Sequence, residues 1–504
     1  MSARIAVLAD LGQDVYHAGD EAMGHAAADE LHSRGLQVLL LSRNPAQTEQ
    51  LFGFPAAATL PFPWPPAERE ARLQRIRGHL SGASELPAGD PALALIGELS
   101  KCDGVLIAGG GNLNSRYGWL LYERAAVVAV ARALGKPVVI SGQTLGPQLT
   151  AADAVVLAEM LEAADLSSMR EPASTQLARS LGATPVAGLD DASFLSAENL
   201  RDNLPDNLPD NLAENLPEHG YVAVTVSPFS GASVDFSERI ASQLDALHGQ
   251  TGLPAVFIPH MGIGAEHGWD RESHARIAEA MSTPSRQLPV LTARQAAAVT
   301  AGAALVLTSR YHPAVFALSA GVPVLGLAVD TYSGVRLAGA MGNWGLADFV
   351  LPLPALEDGL LGPALTETWQ RRAEISGHLA AARPSREASA RLWWDAAAAV
   401  FAAQSSAGSD LPPASRSAAD LPPAQRFRAG GPWLASAEKA ATGFYAGSRL
   451  AGQAGVEEDR LRSYLERQGR ELEALQTEHQ RLLSSKTVRS ALSLHRGCAK
   501  LLHR

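Results

Sequence analysis

Two series of short apolar runs, each alternating with helix-length segments, constrain the fold of this chain more than any other feature of its sequence. Strands that alternate with helices at this spacing indicate parallel βαβ units. Ligands of open parallel sheets bind beyond the carboxyl ends of the strands, so two such series predict a cleft between two α/β halves. The predicted strands are residues 4–9, 38–42, 104–108 and 137–141 in the first series and 221–227, 255–259, 305–308 and 322–329 in the second.

A repetitive segment, RDNLPDNLPDNLAENLPEHG at 201–220, separates the two series. Proline every few residues blocks both helix and sheet hydrogen bonding, so this segment is predicted to be an extended linker or surface loop. The 504 residues exceed a single ordinary core. We predict an N-terminal Rossmann-like domain, the linker, a C-terminal Rossmann-like domain closed by a helix at 391–403, a Pro/Ala/Ser-rich tether and a helical extension, at residues 1–198, 199–219, 220–403, 404–454 and 455–504.

Charge and cysteine content exclude several classes of function. The formal net charge is −10 without a large basic block, which argues against nonspecific binding to nucleic acid. The two cysteines, Cys102 and Cys498, lie far apart, so neither a disulfide framework nor a thiolate metal site is predicted. No apolar run approaches the roughly 18 residues that span a bilayer, and the start lacks the apolar region of a signal peptide. A reducing cytoplasm is the expected location.

A heptad-like seam follows the tether. Its positions alternate spacings of four and three residues: Leu461, Leu465, Gln468, Leu472, Leu475, His479 and Leu482. This spacing predicts a short coiled coil that binds a partner or a second copy of the chain. The alternative is an amphipathic helix that packs on its own protein. The basic tail after the seam predicts contact with a membrane surface or a partner, or simple solvation.

The stretch TSRYHPAVFALSAGVPVLGLAVD at 308–330 reads as a strand end, a turn, a helix and a second strand. Arg310 and His312 lie two residues apart at the turn and share one face of an extended approach. A guanidinium group suits a carboxylate or phosphate, and an imidazole can transfer a proton near neutral pH. The pair therefore fits an anionic substrate that needs proton transfer, and a structural ion pair is the alternative.

Three other segments supply candidate ligand-binding residues. Gly109-Gly110-Gly111 follow a strand, where the backbone can approach a ligand closely, and Asn112 adds a polar side chain. A plain tight turn is the alternative there. Asp20 precedes a helix that it alternatively caps, and Arg170-Glu171 precede another helix, where an exposed surface pair is the alternative.

In this order, the segments resemble the polysaccharide pyruvyl transferase family over roughly the first 345 residues. Each motif alone is unspecific, and their occurrence together in the family's order carries the resemblance. The matching motifs are Gly19-Asp20, Gly109-Gly110-Gly111, GKPVVISGQTLGP at 135–147, Arg170-Glu171 with Ser174, DASFL at 191–195 and SRYHPAVFALSAGVP at 309–323.

The resemblance implies two Rossmann-like domains in a glycosyltransferase-B-type (GT-B) arrangement. It also implies transfer of a pyruvyl group from phosphoenolpyruvate to a sugar, for which we expect a cell-surface polysaccharide or its lipid-linked precursor. The inner face of the membrane is an alternative location within the cytoplasm. By position, Arg310 and His312 look like the family's essential pair and Arg170 like its other anion-binding arginine. The remaining substrate-binding candidates are Asp20, Gly109, Gly110, Gly111, Asn112, Tyr311 and Arg336.

The sequence departs from the family pattern at one position. Several members carry a lysine just after the final strand, where this chain has Asp330-Thr331-Tyr332. Arg336 lies a turn later and is expected to supply the charge instead.

The chemistry of phosphoenolpyruvate agrees with these residues. Its carboxylate and phosphate require two cationic groups, for which Arg170 and Arg310 are expected. Ketal formation requires protonation of the methylene carbon and deprotonation of the sugar hydroxyls, and His312 is the expected acid or base. No cofactor is predicted besides this donor substrate, and no metal, since the histidines are scattered and no carboxylate cluster occurs.

Two alternative functions remain open from sequence. A nucleotide-sugar glycosyltransferase uses the same architecture, and fold alone does not exclude it. A non-catalytic scaffold, derived from the transferase fold and tethered to the coiled coil, is the other.

Overall fold

The computed structural model describes residues 2–195, 216–217, 220–227, 236–263, 268–405 and 418–485. The predicted linker at 199–219 and the basic tail at 486–504 lie almost entirely outside these ranges. Within them the chain forms two parallel sheets flanked by helices, as the alternation in the sequence predicts.

An eight-stranded sheet forms the N-terminal half. Its strands are β1 (Arg4–Leu11), β3 (Gln37–Ser42), β4 (Ala56–Ala58), β5 (Gly104–Ile107), β6 (Gly110–Leu113), β7 (Val138–Leu145), β8 (Leu166–Met169) and β9 (Val186–Ala187), while β2 (Tyr16–His17) lies apart. Its helices are α1 (Ala18–Ser33), α2 (Pro45–Phe52), α3 (Pro66–Leu80), α4 (Pro91–Ser100), α5 (Gly118–Ala133), α6 (Ala151–Glu162) and α7 (Pro172–Ser180), followed by a 3₁₀ turn (Asp191–Phe194). The strand order is β4-β3-β1-β5-β7-β8-β9, with β6 on β7, and every pairing is parallel.

A six-stranded sheet forms the C-terminal half. Its strands are β10 (Val222–Thr225), β11 (Ala255–Phe257), β13 (Ser285–Gln287), β14 (Leu305–Thr308), β15 (Val324–Ala328) and β16 (Val350–Pro352), and β12 (Met261–Gly262) lies apart. The helices are α8 (Ser237–Thr251), α9 (Trp269–Ala280), α10 (Ala293–Ala301), α11 (Tyr311–Ala320), α12 (Thr331–Gly342), α13 (Leu353–Glu357) and α14 (Leu361–Gln370), with a 3₁₀ turn at Ala347–Phe349. The order is β13-β11-β10-β14-β15-β16, again all parallel.

The central strands are buried along their whole length because helices cover both faces of each sheet. β5 and β14 are buried at every residue, and the same holds for β7 and β15. Each half therefore has its own core, and the loops at the carboxyl ends of the strands are the part of the scaffold left to form a site.

The two halves are joined directly at the cleft. β2 and β12 form a short antiparallel pair in which His17 lies opposite Met261. The amide of Ala18 donates to the carbonyl of His260 at 2.9 Å. A small apolar cluster that includes Met23 and Phe316 packs α1 against α11. These contacts fix the amino end of α1 against the start of α11.

The closing helix is longer than predicted and belongs to both halves. The prediction placed it at residues 391–403 in the C-terminal domain, whereas α15 spans Arg372–Ser405. Its last turns insert Trp393, Trp394 and Phe401 into the N-terminal core. The indole of Trp393 also donates to Ser141 Oγ at 2.8 Å.

The predicted tether at 404–454 is wrong over much of its length. A single helix, α16, begins at Trp433 and continues to Ser484. Trp433 is buried in the C-terminal core, and the Phe427 amide before it donates to the Gly345 carbonyl at 2.9 Å. Residues 427–433 are fixed on the C-terminal half because their apolar side chains complete its core. Among the described residues, no helix is both long enough and apolar enough to cross a bilayer.

Candidate active site

The cleft between the halves holds two adjoining chambers. The histidine chamber, about 400 Å³, is lined from both halves and contains His260 and His312. The serine chamber, about 530 Å³, contains Ser227 and Ser309. Both volumes lie in the usual range of small-molecule sites. The side chains common to the two linings are His17, Tyr117, Met261, Trp269, Arg310, Tyr311, Tyr332 and Arg336.

Arg310 caps the amino end of α11 with an extended backbone, so that Tyr311 and His312 occupy its first turn. Its guanidinium Nη2 lies 2.5 Å from Asp270 Oδ1, and its side chain remains 28% exposed to the cleft. Burial disfavours the charged form of Asp270, but the charge of Arg310, the influence of His274 and the hydrogen bonds from Arg310 and the His260 amide together outweigh burial and hold the pKa of that carboxyl below its ordinary value. Arg310 therefore does form the structural ion pair given above as the alternative. Asp270 orients its guanidinium group, which also lines both chambers.

His312 lies against the start of α1. A methyl group added at Gly19 would lie 1.8 Å from its Nδ1, so only glycine admits the ring. Its Nε2 lies 3.7 Å from Asp190 Oδ2 and has no hydrogen-bond partner among the described residues. Burial, then the positive charges of Arg170 and Arg336, hold the pKa of His312 well below its ordinary value. The imidazole is therefore neutral before an anion binds, which is the form that accepts a proton.

Gly19→Ala is expected to lower activity by about 100-fold, because the added methyl displaces the His312 ring by an ångström or more. Gly97→Ala in α4 is the matched control, since a methyl group there meets no atom within 4 Å. Turnover of both variants under identical conditions checks this expectation, and equal activity would show that the close packing is unimportant.

Arg170 lies beneath the chambers and lines neither of them. Its side chain is fully buried, with Nη1 2.5 Å from Asp190 Oδ2 and Nε 2.7 Å from Thr144 Oγ1. The guanidinium carbon is 4.3 Å from the centroid of the Tyr311 ring. The exposed-surface alternative for Arg170-Glu171 is therefore wrong, and so is the expectation that Arg170 faces the donor directly. It supports the chamber wall and adds positive potential behind it.

Arg170→Met is expected to destabilise the protein by about 3–5 kcal/mol, because it leaves the buried Asp190 carboxylate without its partner. Arg179→Met is the control, because Arg179 and Asp420 are both 56% exposed and such pairs contribute about 0–1 kcal/mol. Thermal denaturation of the two variants measures the difference. Similar midpoints would contradict the structural role of Arg170.

Arg336 is the residue expected to supply the positive charge that a lysine supplies in several family members. Its guanidinium carbon lies 4.6 Å from the Tyr332 ring centroid and 4.7 Å from that of Tyr311. Its Nε is buried without a hydrogen-bond partner among the described residues. Asp330, which also lines the serine chamber, caps α12 by accepting from the Ser333 amide at 2.7 Å. Arg336 is thus the second guanidinium that lines both chambers.

The depressed pKa of His312 gives a pH prediction with a definite sign. Arg336→Gln removes one of the positive charges that disfavour the imidazolium, so the pKa of His312 is expected to rise towards its ordinary value. Titration of the His312 ring by NMR in the ligand-free protein checks this shift independently of activity. A lower or unchanged pKa in the variant would contradict the electrostatic account.

Only part of the glycine turn at 109–112 lines the chambers, and the rest supports the surrounding structure. The Gly109 amide donates to Asp191 Oδ2 at 2.6 Å, whereas Gly111 and Asn112 line the histidine chamber. Gly109 and Gly110 do not line either chamber. A methyl group at Gly111 would lie 2.6 Å from the Tyr332 hydroxyl, which donates to the Gly111 carbonyl across the cleft. Glycine is required here for the close approach of the two halves.

Asp20 lines the histidine chamber, and the alternative that it caps α1 is wrong. The N-cap is His17, whose Nδ1 lies 3.5 Å from Asp20 Oδ2. Burial raises the pKa of Asp20, and nearby Asp10 adds to this, although the charge on His17 opposes it.

Several chamber residues escaped the sequence reasoning. They are Asp10, His17, Tyr117, Trp119, His260, Trp269 and Tyr332. His260 follows β11, so the rule that ligands meet the carboxyl ends of strands could have found it. Burial lowers its pKa to about 3, and neither ring nitrogen has a hydrogen-bond partner among the described residues.

Two parallel α/β halves, a cleft at their carboxyl ends and a helix that returns to the first half define a protein of the GT-B class. Solved structures agree. The chain is similar to a putative UDP-N-acetylglucosamine 2-epimerase from Listeria monocytogenes at 12% identity and a TM-score of 0.54, over 83% of this chain and 99% of that one. It is also similar to UDP-GlcNAc 2-epimerase from Neisseria meningitidis at 13% identity and a TM-score of 0.50, over 75% and 94%. At these identities the similarity concerns the fold alone.

Within this class, residues 17–331 match the model of the polysaccharide pyruvyl transferase family. The match includes both halves of the cleft, and the chain belongs to that family. A comparison with curated proteins gave no significant match.

Proposed function

We propose that the protein transfers the pyruvyl group of phosphoenolpyruvate to hydroxyls of a sugar in a cell-surface polysaccharide or its precursor. One observation carries the proposal: Arg310 and Arg336 lie on the wall common to both chambers, and the neutral His312 lines the histidine chamber beside them. Family membership supports the reaction class.

The donor fits the serine chamber. Arg310 and Arg336 offer guanidinium groups to its phosphate and carboxylate, which are the anions that planar guanidinium groups bind best. Arg116 adds a third positive charge from the N-terminal half, although it pairs with Asp330 at 3.0 Å. The amino end of α11 adds the positive end of a helix dipole to the same wall. Phosphate thus leaves into a positively charged chamber.

The acceptor fits the histidine chamber. Asp10, Asn112 and Gln13 offer hydrogen-bonding groups to sugar hydroxyls there, and Trp119 offers an aromatic face. His312 lines this chamber and not the other, so it faces the acceptor rather than the phosphate. This placement favours His312 as the base for an acceptor hydroxyl.

The reaction balances with these groups alone. Two sugar oxygens bond to the central carbon of phosphoenolpyruvate, and its bond to the phosphate oxygen breaks. One hydroxyl proton ends on the methylene carbon, which becomes a methyl group, and the other leaves with phosphate. Once the anionic donor is bound, its charge offsets that of Arg336, so the pKa of His312 rises and the ring holds the proton it has accepted. The imidazolium can then deliver that proton.

Incubation of the purified protein with [2-¹³C]phosphoenolpyruvate and a panel of hexose and N-acetylhexosamine glycosides tests the proposal. The expected result is release of phosphate together with a new quaternary ketal carbon in the ¹³C spectrum. Transfer of sugar from a nucleotide sugar, with phosphoenolpyruvate unused, would instead establish a glycosyltransferase.

A further inference from the structure

A row of aromatic rings leads from the cleft to the protein surface. Tyr332 and Tyr117 have ring centroids 5.8 Å apart, and Trp119 follows at 5.8 Å from Tyr117. Trp64 continues the row at 4.7 Å from Trp119. Trp64 lies outside the lining of both chambers, so the row extends beyond the cleft.

The outer members of this row are unusually exposed. Trp64 is 58% exposed, and Trp269, on the other half of the cleft rim, is 56% exposed. Large aromatic side chains left in water beside a cleft mark binding surfaces more often than they serve the core. The two indoles approach the cleft from opposite halves, because Trp269 begins α9 and Trp64 precedes α3.

Flat aromatic faces suit one class of ligand at this position. The C–H faces of a sugar ring carry partial positive charge and pack against the negative face of an indole, while its hydroxyls stay solvated. A charged donor does not need such a surface. A glycan acceptor longer than the histidine chamber would pass over these rings.

We propose that Trp64, which lies beside Trp119 at the rim of the histidine chamber, forms an acceptor subsite that binds a second sugar unit outside the chambers. The protein then acts on an oligosaccharide or polymer in preference to a single sugar. The inference rests on the proposed function, since it assumes that the histidine chamber holds the acceptor.

An array of hexose and N-acetylhexosamine glycans, one to four units long, probed with protein saturated with phosphoenolpyruvate, tests the subsite. We expect retention to increase from one unit to two, and Trp64→Ala to reduce retention of the longer glycans about tenfold while leaving single sugars unchanged. Leu392→Ala is the control, because Leu392 is 53% exposed on α15.

The two failures are distinguishable. If phosphoenolpyruvate binds in calorimetry but Trp64→Ala retains glycans like the parent, or no glycan is retained at all, the subsite is refuted. If phosphoenolpyruvate does not bind, the proposed function fails first.

A second inference comes from α16, which contacts its own protein through its polar face. Ser463 Oγ accepts from the Ala67 amide at 3.2 Å, and Arg467 Nη1 donates to the Ala67 carbonyl at 2.9 Å. Arg470 pairs with Glu68 at 2.8 Å. The leucine seam therefore does not pack on α3.

The seam faces solvent instead. Its leucines are 56–69% exposed: Leu461, Leu465, Leu472, Leu475 and Leu482. The helix therefore packs on its own protein, as the amphipathic alternative expected, but it does so through polar side chains and leaves its leucines exposed. Every residue of 471–484 is exposed, and a helix of that length without partners is marginal in water. A stable helix here therefore requires another apolar surface that buries these leucines.

We propose that this surface is the same leucine seam of a second copy of the chain, and that the two helices form a parallel two-stranded coiled coil. Parallel alignment places Gln468 opposite Gln468 and His479 opposite His479. Antiparallel alignment pairs them with leucines in one register and with each other in the next. It also brings Glu471 beside Glu471 of the second copy in the first register and beside Glu478 in the other. The repulsion between these glutamates favours the parallel dimer.

Light scattering after size exclusion of the full chain tests the dimer. The parent and Ala474→Glu with Thr477→Glu, a control that adds the same two charges off the seam, are expected to have the dimer mass. Leu472→Glu with Leu475→Glu is expected to have the monomer mass. Unchanged catalytic activity and melting temperature in that double variant would separate loss of association from unfolding. A monomeric parent, or a dimeric leucine double variant, would overturn the proposal.

Discussion

His312→Ala is expected to lower kcat for pyruvyl transfer by about 10²–10⁴-fold, the usual contribution of one positioned acid or base. The affinity for phosphoenolpyruvate should change little, because the guanidinium groups that bind it belong to other residues. The reason is placement: the ring is neutral, packed on Gly19, and lines the chamber assigned to the acceptor. Steady-state kinetics with varied donor and acceptor would separate kcat from the two KM values.

His312→Asn is the second variant, since it retains a polar side chain and limits the cavity that alanine leaves. His32→Ala, an exposed histidine of α1, serves as the control and should behave like the parent. If the alanine and asparagine variants both remain fully active, His312 has no role in proton transfer.

Arg336→Gln is expected to weaken the binding of phosphoenolpyruvate by about 10- to 100-fold, the effect of losing a hydrogen bond to a charged group. Arg336 lines both chambers, and its Nε has no hydrogen-bond partner among the described residues, so it is available to an anion. For Arg310 the informative change is to lysine, because alanine would leave the buried Asp270 unpaired. Lysine keeps the positive charge but cannot donate the paired hydrogen bonds of a guanidinium group. We therefore expect Arg310→Lys to lose about as much affinity as Arg336→Gln.

Calorimetric titration of phosphoenolpyruvate into each variant measures these losses. Arg132→Gln is the matched control, since Arg132 is also 46% exposed and paired, with Asp165, but lines neither chamber, and an unchanged affinity is expected. Equal affinity for the donor in the parent, Arg336→Gln and Arg310→Lys would contradict the assignment of the serine chamber.

Local sequence patterns predicted the scaffold and the innermost site residues. Parallel strands end at one edge of their sheet, so Gly111 after β5 and His312 after β14 were expected in one cleft, and both line the histidine chamber. Arg336 was found because the resemblance required a charge near the final strand. These inferences needed only periodicity, strand ends and the order of motifs.

Long-range packing determined what the sequence did not reveal. Arg170 precedes a helix in the manner of a surface residue, yet Asp190 and Tyr311 enclose it from distant segments. Asp20 has the usual position of a cap, but β2 pairs with β12 of the other half and starts α1 earlier. The spacing of neighbouring residues in the sequence carries no information about contacts between such distant segments.

The C-terminal helix shows the same limit. Its heptad spacing predicted a seam, and the leucines do share one face. Which face contacts the rest of the protein depends on Glu68 and Glu70 of α3, about four hundred residues earlier in the chain. The spacing alone left both alternatives open.

Separate calorimetric titrations of phosphoenolpyruvate and UDP-N-acetylglucosamine into the parent protein decide whether the cleft binds the pyruvyl donor. We expect phosphoenolpyruvate to bind at one site per chain, Arg336→Gln to weaken this binding, and the nucleotide sugar to give no binding heat. Saturable binding of the nucleotide sugar, with none of phosphoenolpyruvate, would contradict this expectation.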